Sequence, residues 1–141
     1  MQVMSSRRPS FRLRLDLHSG VPVYRQIIDQ VYGGIASGSL AIGDQLPTVR
    51  QLAVDLSINP NTVARAYREM ELGGLLETHQ GTGTFISTQK MRGGEVERAR
   101  QLAQIVTDCV ARAGAAGFTV KDLIEQLEGI DSRANSQERK S

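Results

Sequence analysis

The side chains of Asn61, Thr62, Arg65 and Arg68 are of the types that read a nucleic acid. An Asn amide pairs bidentately with an adenine edge, an Arg guanidinium binds guanine or phosphate, and a Thr binds phosphate or a thymine methyl group. Their spacing puts them on one side of a helix. At about 100° per residue from Val63, the arc facing away from the apolar positions collects Asn61, Arg65 and Arg68, with Thr62 and Glu69 at its edge. An isolated amphipathic helix with this face would read as merely solvated. What precedes and follows the segment points instead to DNA.

Two apolar stripes flank a short turn. Val49, Leu52, Ala53 and Leu56 fall at i, i+3, i+4 and i+7, and Val63, Ala66, Tyr67 and Met70 repeat the pattern. Thr48 with Gln51 forms the signature of a capping box at the start of the first helix. Asn59 as cap and Pro60 at the first helical position start the second. The connection is then only about three residues long, as a helix-turn-helix requires.

A hairpin follows. Gly73 and Gly74 end the second helix through a left-handed backbone, 75–79 form one strand and 84–87 the other, with Gln80, Gly81, Thr82 and Gly83 as the turn. A glycine tip lets backbone amides approach phosphates or a minor groove. His79 and Thr82 flank it, and His79 reads either as a contact or as a solvated residue. The expected architecture is mainly α with a small β-wing, an N-terminal winged helix-turn-helix over 11–88.

Upstream, Phe11, Leu13, Leu15 and Leu17 alternate with Arg12, Arg14 and Asp16, as in a short strand or extended arm with one buried face. Residues 1–10 are expected to be disordered. Their Arg7 and Arg8, with Arg12 and Arg14, either reach along DNA or form a basic terminus without specific contacts. From Pro22 a helix carrying Tyr24, Ile27, Ile28, Val31 and Ile35 on one face supplies the scaffold under the reading pair.

After a hinge at 89–94 the pattern is purely helical over 95–130. Val96, Ala99, Leu102, Val106, Cys109 and Ala113 recur every three or four residues, and the Gly114 to Gly117 segment breaks the helix. A last helix from Thr119, stapled by Phe118 and Leu123, presents Val120, Leu123, Ile124 and Leu127. Two helices of this size cannot cover both stripes, so a C-terminal two-helix dimerisation domain is expected, with Ala99, Leu102, Val106, Cys109, Leu123 and Leu127 facing a second chain. The polar stretch 131–141 is expected to be a disordered tail.

Composition agrees. The chain has 141 residues, 40% of them hydrophobic, a formal net charge of +2 and a pI near 9.0. Through Arg92 there are 10 Lys and Arg against 7 Asp and Glu, a net of +3, whereas 7 against 8 from Gly93 onward gives −1. The positive charge lies with the reading domain, as DNA binding favours. No signal-like run or stretch of about 20 apolar residues marks export or membrane insertion, and a single Cys109 excludes an internal disulfide, so a cytoplasmic protein is expected.

Catalytic constellations are missing. His18 and His79 are far apart, no Cys or His pair has metal-ligand spacing, and no phosphate-binding glycine loop with lysine occurs. No enzyme activity, metal or cofactor is therefore expected.

The motifs LPTVRQLA, NPNTV and GTGTF occur in an order and spacing by which the segment from Phe11 to Ser87 resembles the GntR-type bacterial regulators, in particular their YtrA-like branch with short C-terminal domains. The resemblance implies a homodimeric transcription factor, usually a repressor, on a palindromic operator, with transporter operons as its neighbours. It makes Arg50 a backbone-clamping arginine, places Asn59, Asn61 and Thr62 in the recognition segment and Gly81 at the wing. Two departures stand out. Ser57 occupies the turn position where many relatives have glycine, at some conformational cost, and the wing THQGTG lacks their Arg or Lys.

Three functions compete on these residues. A dimeric DNA-binding repressor leads. A winged-helix protein-interaction module is the alternative, against which stands the convergence of Arg50, Asn61, Thr62 and Arg65. An enzyme, by analogy with relatives that fuse this domain to an aminotransferase, would need more residues after Ser87. With so small a C-terminal domain, a small-molecule effector would act at the dimer interface or between domains rather than in an enclosed pocket.

Overall fold

The helical periodicities become helices, and the glycine-rich segment becomes the tip of a hairpin. The computed structural model describes residues 11–87 and 94–140. Its elements are α1 (Val23–Ser37), β1 (Gln45–Leu46), α2 (Val49–Leu56), α3 (Pro60–Leu72), β2 (Leu76–His79), β3 (Gly83–Ile86), α4 (Glu95–Ala115) and α5 (Val120–Lys140). Residues 1–10, and the hinge apart from Gly94, lie outside the described residues.

Three helices and the sheet share one core. Ile27, Ile28 and Val31 of α1 are buried with Leu52 and Ala53 of α2 and with Val63, Ala66, Tyr67 and Met70 of α3. Leu46, Leu75, Leu76 and Ile86 continue the same cluster under the wing. Each large aliphatic side chain taken fully from water contributes about 1.5–3 kcal/mol, so this face-to-face burial, rather than helix propensity, holds α2 at its short length.

The turn between α2 and α3 forms as its residues require, with one revision. The Thr48 hydroxyl accepts from the Gln51 amide at 3.0 Å, but the Gln51 side chain turns forward and donates from Nε2 to Asp55 at 2.9 Å instead of accepting from the Thr48 amide. Only half of the capping box is made, because the charge-assisted bond to a carboxylate one turn on draws the Gln51 side-chain amide away from the cap. Ser57 then takes φ 57° and ψ 46°, and Asn59 accepts from the Asn61 amide at 2.8 Å to open α3 at Pro60.

The wing has three strands in the order β1-β3-β2, all antiparallel. Leu76 faces Ile86 and His79 faces Gly83, so the ladder begins one residue after the expected Leu75 and takes in Gly83. Leu75 still accepts the Ser87 amide at 2.8 Å. The left-handed residue after α3 is Gly74, while Gly73 keeps a helical backbone.

The N-terminal arm packs without forming a strand. Phe11 is buried against Gly34, where a Cβ would lie 2.7 Å from its ring, so glycine is needed for this contact. Leu13 and Leu15 also pack on the core, but Leu17 is 76% exposed. The alternation stops there because the chain turns, with Ser19 bonding back to Asp16. In place of a neighbouring strand, the arm pairs with glutamine side chains of α1. Gln30 accepts from the Arg14 amide at 2.9 Å and donates to the Arg14 carbonyl, while Gln26 accepts from the Asp16 amide at 2.8 Å and donates to the Asp16 carbonyl at 2.9 Å. Helical i, i+4 spacing thus matches the two-residue repeat of the extended arm.

The second compact unit, which ends at Arg133, carries α4 and α5 up to that residue. Thr119 and Asp122 exchange hydrogen bonds of 2.9 and 3.2 Å at the start of α5, and Phe118, expected as a staple, remains 60% exposed. Where the polar composition of 131–141 had indicated a disordered tail, α5 instead runs to Lys140. Ala134, Gln137, Glu138, Arg139 and Lys140 are good helix formers, and low apolar content does not by itself end a helix.

Candidate nucleic-acid interface

The side chains singled out for DNA lie on α2, on α3 and at the hairpin tip. Arg50 sits in the first turn of α2, exposed and without an ion pair among the described residues. Asn61 and Arg68 are likewise exposed on α3, and Thr62 is half-buried. Asn59 has a local duty, since its Oδ1 caps α3.

Arg65 is held from two sides. Its guanidinium lies 3.7 Å over the Tyr24 ring of α1, and its Nε is 3.8 Å from a Glu69 carboxylate oxygen. The side chains of Arg65 and Glu69 are 57% and 42% exposed, so water screens this pair and its net contribution is small. The stacking restricts the guanidinium to one region of the α3 surface, with its N–H edges available to an acceptor.

At the wing, His79 is drawn along the sheet. Its Nε2 is 3.6 Å from Glu77, and its ring tilts against Phe85 at a centroid distance of 5.6 Å. Gly81 and Thr82 are exposed at the tip, and the Thr82 amide donates to the His79 carbonyl at 2.9 Å. Gln45, which periodicity could not single out, joins the tip through a bond from its Nε2 to the Thr82 carbonyl. The sequence offers little signal for it, because a two-residue strand has no alternation to detect.

The inward side of α3 is tied to the start of α2. The Tyr67 hydroxyl donates to the Pro47 carbonyl at 2.6 Å, and burial pushes its pKa well above that of a free phenol. This bond fixes the recognition helix against the segment that carries Arg50.

The residues assigned to dimerisation stay open in the single chain. No residue of α4 is buried, and Leu102, Val106 and Leu127 are 62%, 51% and 61% exposed. Ala99 and Cys109 are exposed too, whereas Leu123 is half-buried. The stripes are wider than expected, since Ile105, Val110 and Ile130 are also exposed. The i+3 and i+4 template picks one line of a broad apolar face.

Among the described residues no helix is long and apolar enough to cross a membrane, and no group of three or more His, Cys, Asp or Glu could hold a metal ion.

Comparison with known proteins converges on one family. Residues 23–86 match the model of the bacterial regulatory proteins of the gntR family. The chain is 37% identical over 124 residues to the HTH-type transcriptional repressor YtrA of Bacillus subtilis, covering 85% of this chain and 92% of that one. It is 41% identical over 118 residues to the HTH-type transcriptional regulator Rv1152 of Mycobacterium tuberculosis, covering 84% and 93%. Among solved structures, YtrA from Sulfolobus acidocaldarius superposes with a TM-score of 0.53 at 32% identity, over 70% of this chain and 97% of that one. A transcriptional regulator from Oenococcus oeni gives 0.54 at 31% identity, over 84% and 98%.

Proposed function

Starting from the fact that this chain belongs to the gntR family of bacterial regulatory proteins and is a DNA-binding transcriptional regulator, we propose that it acts as a homodimeric repressor on an inverted-repeat operator. The observation that carries the dimer is the solvent-facing apolar surface of α4 and α5, where Leu102, Val106 and Leu127 are each more than half exposed. Contiguous exposed apolar surface of this kind marks an association site, and a second copy of the same helices is the economical cover. Repression is proposed from similarity to a relative named as a transcriptional repressor.

In this reading Asn61 and Thr62 address base edges in the major groove, and Arg50, Arg65 and Arg68 bind phosphates. Gly81 and Thr82, with His79 beside them, bring the wing to the backbone or minor groove. No catalysis is proposed, and the resemblance to the YtrA-like branch is what would place the operator beside a transporter operon. Binding of genomic fragments at stated salt, with competitor DNA, tests the proposal alongside sedimentation. A specific complex holding two chains per inverted repeat is expected; a monomer bound to DNA of any sequence would overturn it.

A further inference from the structure

We infer that Gln45 is a positioning residue for the wing, its side-chain amide holding the hairpin tip where Gly81 and Thr82 meet DNA. This rests on the DNA-reading function proposed above. Gln45 pairs with Phe85 in the ladder, and its side chain continues beyond the end of β1 to donate from Nε2 to the Thr82 carbonyl at 3.1 Å. The two residues are 37 positions apart. Gly83 makes room for this reach. It has φ +132°, and a Cβ there would sit 2.4 Å from Gln45 Nε2, so a side chain at 83 would push the amide off the turn.

The composition of the wing makes such a brace necessary. A long cationic side chain can find a phosphate even from a mobile hairpin, but the tip here, Gln80 to Gly83, carries neither Lys nor Arg. Its remaining polar groups are the backbone amides, the Gln80 carboxamide and the Thr82 hydroxyl, all uncharged, whose hydrogen bonds fail beyond about 3.5 Å. A Cβ at Gly81 would meet nothing within 4 Å, so no neighbouring element packs on that side of the tip. Apart from the ladder pair of His79 and Gly83 and the bond between Thr82 and His79, the brace among the described residues comes from Gln45. Gln45 also lies just before Pro47 and Thr48, so the segment that starts α2 and sets Arg50 sets the wing as well.

The test is hydroxyl-radical and methylation footprinting of the full chain on its operator with Gln45→Met, which keeps length but removes the donor, and with Gln45→Ala. Both should lose protection at the sugars beneath the wing and keep the major-groove protections of α3. Affinity should fall about three- to tenfold, as for loss of one exposed hydrogen bond. Because the bond is exposed to water, the melting temperature should fall by a few degrees at most. A Gln45→Met footprint identical to wild type would overturn the inference, as would uniform weakening of every protection. A wild-type chain that protects no site would instead overturn the DNA-reading function itself.

Discussion

The buried hydroxyl of Tyr67, on the recognition helix, donates a 2.6 Å hydrogen bond to the carbonyl of Pro47, the residue before the cap of α2. One bond thus sets the two helices of the reading motif against each other. Tyr67→Phe should keep the packing but leave that carbonyl without a donor, at about 1–3 kcal/mol in chemical denaturation. The pH dependence has a definite sign. Burial raises the folded-state pKa above the unfolded value of 10.0, so the contribution is complete below about pH 10 and declines as pH rises beyond it, when only the unfolded chain loses its proton. Alkaline unfolding that was equally steep in the Phe variant would show that Tyr67 is not responsible.

Arg50 and Asn61 should fail differently. Arg50→Ala is expected to weaken all DNA sequences nearly uniformly and to lower the salt slope by about one, whereas Asn61→Ala should cost about 1–3 kcal/mol at a single operator position. Titrations on specific and random duplexes at several salt concentrations separate the two. Equal losses on both kinds of DNA for both variants would remove Asn61 from base reading.

Leu102→Asp addresses assembly. On the proposed dimer, a carboxylate on this face should raise the dissociation constant on the order of a hundredfold or more, while the winged-helix unit keeps its melting transition. Operator affinity should drop with it, because the second half-site contact is no longer intramolecular. Light scattering of the wild-type chain as a folded monomer at micromolar concentration would defeat this expectation.

Ser57, at φ 57°, is the one non-glycine residue with positive φ among those described. Left-handed backbone costs an ordinary residue about 1–2 kcal/mol, and glycine returns roughly half of that through the extra freedom of the unfolded chain. Ser57→Gly should therefore raise stability by about 1 kcal/mol or less. Thermal melts would check this, and clear destabilisation would mean that the Ser57 side chain contributes something of its own.

What the sequence made legible was local. The turn between α2 and α3 was visible because Thr48, Asn59 and Pro60 act on their own neighbours and because apolar residues recur at helical spacing. Relationships across the chain were not visible. Gln45 with Thr82, Tyr24 with Arg65 and Gln26 with Asp16 each join distant positions through polar groups that leave no periodicity. The end of α5 was misplaced for a different reason, since composition reports what a segment can bury and not whether it is helical.

The pairing of the arm with Gln26 and Gln30 also determines how that arm comes loose. It is bound at Arg14 and Asp16 by side-chain amides of one helix and by Phe11, Leu13 and Leu15 on the core, so it can lift away by giving up those contacts without opening a strand ladder. In hydrogen–deuterium exchange, the Arg14 and Asp16 amides should therefore trade their protons through a local opening, well before the amides inside α1. The segment that leads into the reading domain is fastened by a latch that releases while the rest of the fold stays closed.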